Sequence, residues 1–133
     1  MIRKISHVGI ATHSIAVLSE FYKTLGLEIE STEIVEDQKV QVALIKVGES
    51  SIELIEATEE DSVVARFLEK RGEGIHHIAI EVENLQDHLD RLKEKNVKLI
   101  DKSPRLGAQG RLIAFIHPES TGGVLVELSQ PIE

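Results

Sequence analysis

The stretch His7-Val-Gly-Ile-Ala-Thr-His-Ser14 has a counterpart in His77-Ile-Ala-Ile-Glu-Val-Glu-Asn84, and this pair decides the fold. The offset is 70 residues (77 − 7), and it continues without a gap: Ile15 falls on Leu85, Tyr22 on Leu92, Gly26 on Asn96, Leu27 on Val97 and Ile29 on Leu99. Self-similarity at a fixed offset marks a duplicated structural unit. Each copy reads as strand, helix cap, amphipathic helix, helix stop, strand. Ser14 and Asn84 carry side-chain oxygens suited to the orphan amides of a first helical turn. Ile15, Leu18, Phe21, Tyr22 and Leu25 recur at helical spacing, as do Leu85, Leu89 and Leu92. Gly26 and Asn96 are the two residue types best able to take the left-handed conformation that ends a helix.

After each helix come stretches rich in Val, Ile and Leu, at 27–35, 39–47 and 50–56, then at 97–101, 111–117 and 123–129. Gly48-Glu-Ser50 and Gly122-Gly123 are turn signals that divide the last two strands of each copy. A further short helix over about 62–71 joins the copies ahead of Gly72 and Gly74. The expectation is one α+β domain over 1–133: two tandem βαβββ modules, 1–60 and 75–133, linked by a helix within 61–74. The modules form a curved sheet around a metal site, for the following reason.

Side chains alternate along a strand, so parity decides which residues share an environment. Val8 and Ile10 point towards the helix, which turns Ile5, His7, Gly9 and Ala11 to the other face; in the second copy Ile78, Ile80 and Val82 play the first part, His77 and Ala79 the second. Both histidines therefore project from the concave side, each followed two residues on by a small residue. The last strand of each copy adds a carboxylate, Glu53 in Ser51-Ile-Glu-Leu-Ile55 and Glu127 in Leu125-Val-Glu-Leu-Ser129. The histidine-to-glutamate separations nearly match, at 46 (53 − 7) and 50 (127 − 77) residues. A carboxylate buried alone on an apolar face costs several kcal/mol, so it needs a partner. Two imidazoles and two carboxylates converging on one divalent cation supply that partner. A His₂Glu₂ set suits Co²⁺, Mn²⁺, Ni²⁺ or Zn²⁺ better than Mg²⁺ or Cu(I).

The bulk properties bound the alternatives. At 41% hydrophobic and 29% charged residues the chain has a globular composition, and 133 residues suffice for an independent core. Without cysteine it has no disulfides and no thiolate chemistry. A net charge of −8 argues against a phosphate backbone as partner, and the four aromatics, Phe21, Tyr22, Phe67 and Phe115, each stand beside aliphatic residues and read as core. Neither nucleic acid nor a membrane is expected as a partner, since no apolar run approaches the ~20 residues of a span and no secretory signal opens the chain. The expected compartment is the cytoplasm.

The remaining polar residues have plainer expectations. His13 and His88 read as exposed, and His76 has the wrong parity to join His77 and reads as structural. His117, before Pro118, has no role that the sequence assigns. Lys102, Arg105 and Arg111 surround the Gly107 and Gly110 turns and read as a solvated loop, with an anion-binding rim as the sharper alternative.

At this point the residues resemble a known family. His-Val-Gly-Ile-Ala at 7–11, Ile-Glu-Leu-Ile-Glu at 52–56 and Gly-Glu-Gly-Ile-His-His-Ile-Ala at 72–79 resemble the vicinal oxygen chelate superfamily. The stretch from Ile113 to Leu128, with His117-Pro118 and Gly122-Gly123 inside it, is similar to the methylmalonyl-CoA epimerases of that superfamily. The resemblance implies paired βαβββ modules, a homodimer, an acyl-CoA substrate, and a divalent metal, Co²⁺ first, held by His7, Glu53, His77 and Glu127. It also implies a reaction: interconversion of (2R)- and (2S)-methylmalonyl-CoA by removal of the C2 proton, through an enolate that the metal stabilises. Some relatives carry a base on the second long strand where this chain has Val42, and many have Gln in place of Glu53. With Val42 unable to move a proton, Glu127 and Glu53 become the expected bases. The alternatives are a glyoxalase I-like lyase acting on a glutathione hemithioacetal and a non-catalytic binding module on the same fold.

Overall fold

The computed structural model describes residues 1–132, and contacts within the chain divide it into two compact units, His7–His76 and Met1–Ser6 together with His77 onwards. The first strand, β1 (Ile2–Ala11), belongs to both, residues 2–6 to one unit and 7–11 to the other.

In the unit 7–76, β1 leads through Ser14 into α1 (Ile15–Thr24), followed by β2 (Ile29–Val35), β3 (Val40–Val47), β4 (Ser50–Ala57) and α2 (Val63–Arg71). The strand order is β2-β3-β4-β1, with β2, β3 and β4 antiparallel and β1 parallel to β4. The first helix starts where the sequence places a cap, with Ser14 Oγ accepting from Val17 N at 3.1 Å, and the second starts at Ser62, whose Oγ accepts from Ala65 N at 2.9 Å. Gly26 ends the first helix in the left-handed region, at φ 91°. The core gathers Ile15 and Tyr22 of α1 with Ala43, Ile45 and Leu54, flanked by Ile10, Leu18, Leu27, Ile29 and Ile52. Two helical positions depart from expectation. Phe21 is 57% and Leu25 62% exposed, because at ~100° per residue the inward stripe runs through Ile15, Ser19 and Tyr22 instead. Phe21 lies edge-on against Tyr22 at 5.1 Å, beside the core and not in it.

In the other unit, residues 2–6 of β1 are followed by β5 (Gly74–Val82, from His77 onwards), α3 (Leu85–Glu94), β6 (Arg105–Leu106), β7 (Leu112–Ile116) and β8 (Val126–Gln130). The order is β1-β5-β8-β7-β6, with β5 parallel to β8 and the β6–β7 and β7–β8 pairs antiparallel. Asn84 caps α3 and Asn96 follows it at φ 61°. Val82, Leu85, Leu89, Ala114, Ile116 and Leu128 form the core; burying a side chain such as Leu89 is worth about 1.5–3 kcal/mol.

The duplication is less regular here than the sequence implies. Residues 97–101, aligned with the start of β2, make only a single bridge, Leu99 to Ile116. Asp101 Oδ2 accepts the Phe115 amide at 2.8 Å, so a side chain takes the bond a ladder would have used. Ser103-Pro104 then redirects the chain before the two-residue β6.

Candidate active site

The register of the parallel strands builds the same pair of groups in each unit. In 7–76, Gly9 lies beside Glu53; in the other unit, Ala79 lies beside Glu127. The small residue two positions after each histidine thus stands next to the carboxylate of the neighbouring strand. His7 Nε2 is 3.7 Å from Glu53 Oε2, and His77 Nε2 is 3.4 Å from Glu127 Oε1. All four residues are buried, none more than 8% exposed.

Four buried ionisable groups on apolar strands are costly unless something compensates them. The pair distances exceed the ~2.7–2.9 Å of a strong charge-assisted hydrogen bond. They are closer to the spacing of neighbouring ligands around a divalent ion, which sit about 3 Å apart when each is ~2.0–2.2 Å from the metal. His7 with Glu53 in one unit, and His77 with Glu127 in the other, each set an imidazole nitrogen and a carboxylate oxygen at about that spacing. Imidazole nitrogen and carboxylate oxygen are the donor types that Co²⁺, Mn²⁺, Ni²⁺ and Zn²⁺ accept, and the residues fit such an ion.

The surroundings of His77 were only partly legible. Phe115, on β7 directly opposite Glu127, packs edge-to-face on the His77 ring at 5.7 Å, and the Arg105 guanidinium lies over the Phe115 ring, 5.7 Å from its centroid. Arg105 Nε is 3.1 Å from Asp101, and Arg111 Nη1 donates to Glu81 Oε1 at 3.1 Å and Ser129 Oγ at 3.3 Å. Neither arginine is the solvated loop residue the sequence suggested. Glu81 is buried, four residues after His77 and of the same parity, which is the signal that could have found it.

The other histidines have structural partners. His76 packs edge-on against Phe67 at 5.0 Å, and burial holds its imidazole well below the ordinary range, at about 4. His117 Nδ1 accepts the Glu119 amide at 3.0 Å and so caps the turn at Pro118–Ser120. His13 is exposed, and His88 is half-buried, its Nε2 3.1 Å from the N-terminal amine. Glu73 was missed although it lies in the quoted Gly-Glu-Gly motif: its Oε2 accepts from Thr12 Oγ1 at 2.6 Å and from the His13 amide at 2.9 Å, tying the segment before β5 to the start of α1.

Comparison with known proteins decides the family. Residues 6–115 match the profile of the glyoxalase/bleomycin resistance protein/dioxygenase superfamily. The ethylmalonyl-CoA/methylmalonyl-CoA epimerase of Cereibacter sphaeroides is 38% identical over 133 residues, covering 98% of this chain and 99% of that protein. The chain belongs to the methylmalonyl-CoA epimerase family of that superfamily. YqjC of Bacillus subtilis (strain 168), an uncharacterized protein, is 48% identical over 96% of this chain and 92% of its own. A solved methylmalonyl-CoA epimerase in complex with methylmalonyl-CoA and NH4+ is 38% identical and superposes with a TM-score of 0.93, over 98% of this chain and 95% of that one. As a member of the family, this chain has the α+β vicinal oxygen chelate fold, with three α-helices and eight strands among the described residues.

Proposed function

We propose that this protein is a methylmalonyl-CoA epimerase, interconverting the (2R) and (2S) forms by moving the proton on C2. The observation that carries the reading is the repeated pair: His7 with Glu53 and His77 with Glu127, each on parallel strands in the same register relation to a small residue. His7, His77 and Glu127, with Glu53, would hold one divalent ion, Co²⁺ first and Mn²⁺, Ni²⁺ or Zn²⁺ as alternatives. When bound, such an ion supplies Lewis acidity to the oxygens flanking C2 and lowers the cost of the negative charge left by proton removal.

The chain's own residues then divide the work. Inverting C2 needs a proton taken from one face and returned to the other, hence two groups able to hold a proton. Val42 is buried and opposite Ile55, and it carries no titratable atom. One step along the same strand face, Leu44 stands opposite Glu53. The proton work therefore falls to Glu127 and Glu53. Phe115 and the apolar strand residues around the pairs keep water from competing for the proton.

The same reading carries a homodimer acting in the cytoplasm, with residues 1–60 and 75–133 as modules joined through 61–74. No helix among the described residues is long and apolar enough to cross a membrane. The test is deuterium wash-in at C2 of methylmalonyl-CoA with metal-reconstituted protein. Metal-dependent exchange is expected; its absence overturns the proposal. Turnover of a glutathione hemithioacetal in its place identifies the lyase, which the named relatives do not favour, and a protein that stays metal-free after reconstitution identifies a binding module.

A further inference from the structure

Arg111 immediately precedes β7, at the end of a turn whose geometry is closely constrained. The Gly107 amide donates to Arg111 O at 2.8 Å and the Arg111 amide to Ala108 O at 3.2 Å, while Gln109 and Gly110 take left-handed backbone at φ 60° and 67°. A Cβ on Gly107 would stand 2.8 Å from Ile113 Cδ1, so the turn sits hard against the strand it introduces. The β7–β8 register sets Ile113 opposite Ser129 and Phe115 opposite Glu127. Alternation then puts Arg111 on the sheet face of Glu127 and Ser129. The β5–β8 register brings Glu81 to Ser129 on that same face, as it brings Ala79 to Glu127. Ser129 lies two residues from Glu127, roughly 7 Å along the strand.

Both hydrogen bonds of the Arg111 side chain, to Glu81 and Ser129, use Nη1. Among the described residues, Nη2 and Nε have no partner. The Arg111 side chain is 23% exposed, far enough inside for its charge to escape full screening. Its charge is not consumed by Glu81 alone. Arg3 reaches the other oxygen of that carboxylate at 3.7 Å, so one buried carboxylate faces two guanidiniums; Glu83, which Arg3 also meets at 3.5 Å, is exposed. A planar fork with one nitrogen fixed and its remaining donors free is suited to a carboxylate.

We propose that Arg111, steadied by Glu81 and Ser129, is a specificity-determining residue that receives the free carboxylate of the acyl-CoA substrate. The inference rests on the epimerase reading and names the group that distinguishes a malonyl-type thioester from a simple acyl-CoA. Replacing Arg111 alone leaves Glu81 short of a counter-charge, so Arg111→Met is paired with the neutralised double variant Arg111→Met/Glu81→Gln.

Affinity is measured by calorimetry for methylmalonyl-CoA and for propionyl-CoA, which carries the same coenzyme without the carboxylate, alongside kcat and KM for epimerisation. Loss of the contact is expected to raise KM and Kd for methylmalonyl-CoA about tenfold or more in both variants and to leave propionyl-CoA binding within about twofold of wild type. Equal weakening for both ligands places the contact on the coenzyme phosphates and overturns the proposal. Unchanged affinity for both, with only a lower Tm in Arg111→Met, makes Arg111 a counter-ion for Glu81 and overturns it too. Wild-type protein that neither binds nor exchanges methylmalonyl-CoA overturns the epimerase reading and this one together, a result distinct from either of the others.

Discussion

At the scale of single residues, the decisive contrast is between Val42 and Glu53, which the antiparallel β3–β4 pairing puts on one face a step apart. Glu53→Gln keeps an oxygen donor and nearly the same volume but cannot carry a proton. Metal content should stay at about one equivalent per chain by elemental analysis, while epimerisation falls by about 100-fold or more, the loss expected for a missing general base. Full activity in this variant would remove Glu53 from proton transfer. Glu73 makes a prediction of another kind. The Thr12 hydroxyl foremost, and then the His13 amide, hold its carboxyl below the ordinary range. A carboxylate whose folded-state pKa is depressed contributes stability above its unfolded value and loses it as the pH falls through the folded one. The urea-unfolding difference between wild type and Glu73→Gln should therefore be present near neutral pH and close as the solution is acidified below the ordinary carboxylate range. A difference that is constant with pH would assign Glu73 a packing role only.

At the scale of elements, local chemistry set the helices and tertiary competition set the strands. Ser14 and Asn84 were readable as caps because the capping bond is satisfied within three residues. Ser14→Ala and Asn84→Ala should each cost about 1 kcal/mol in chemical denaturation, and a cost near zero for both would mean that packing alone defines these helix starts. The segment 97–101 was not readable in the same way: its composition is that of a strand, yet the Asp101 side chain, 14 residues from Phe115 in sequence, claims the backbone donor that a ladder requires. The turn before β7 is equally a tertiary product. Gly107→Ala should destabilise by about 1–3 kcal/mol, since the new methyl meets a buried Ile113 with little room to move; an unchanged urea midpoint would show that this side chain can yield.

At the scale of the whole molecule, the prediction concerns metal and stability together. Anything that binds the folded chain and not the unfolded one stabilises it by mass action, about 2.7 kcal/mol at a free concentration 100 times its dissociation constant. Adding Co²⁺ to chelator-treated protein should raise Tm by several degrees, and the rise should vanish in His77→Ala. An equal rise in both would locate the ion elsewhere. The exposed apolar and charged surface says less. Exposed Phe21 and Leu25 on α1 came from a stripe that the sequence overstates, since a hydrophobic residue at nearly helical spacing can still be rotated off the face that packs.

The amino-acid sequence alone determined the duplication, the helix starts and stops, and the parity that turns His7, Glu53, His77 and Glu127 to the interior. Each of these depends on residues near one another in the chain, or on an alternation that a strand cannot avoid. Only the tertiary structure decided which strand lies beside which, that Gly9 and Ala79 are the neighbours of the two carboxylates, and that Arg111 reaches Glu81 and Ser129 and not open solvent. Those are contacts between distant segments, chosen by register and by the cost of burying a charge without a partner, and neither quantity is written in any local stretch of the chain.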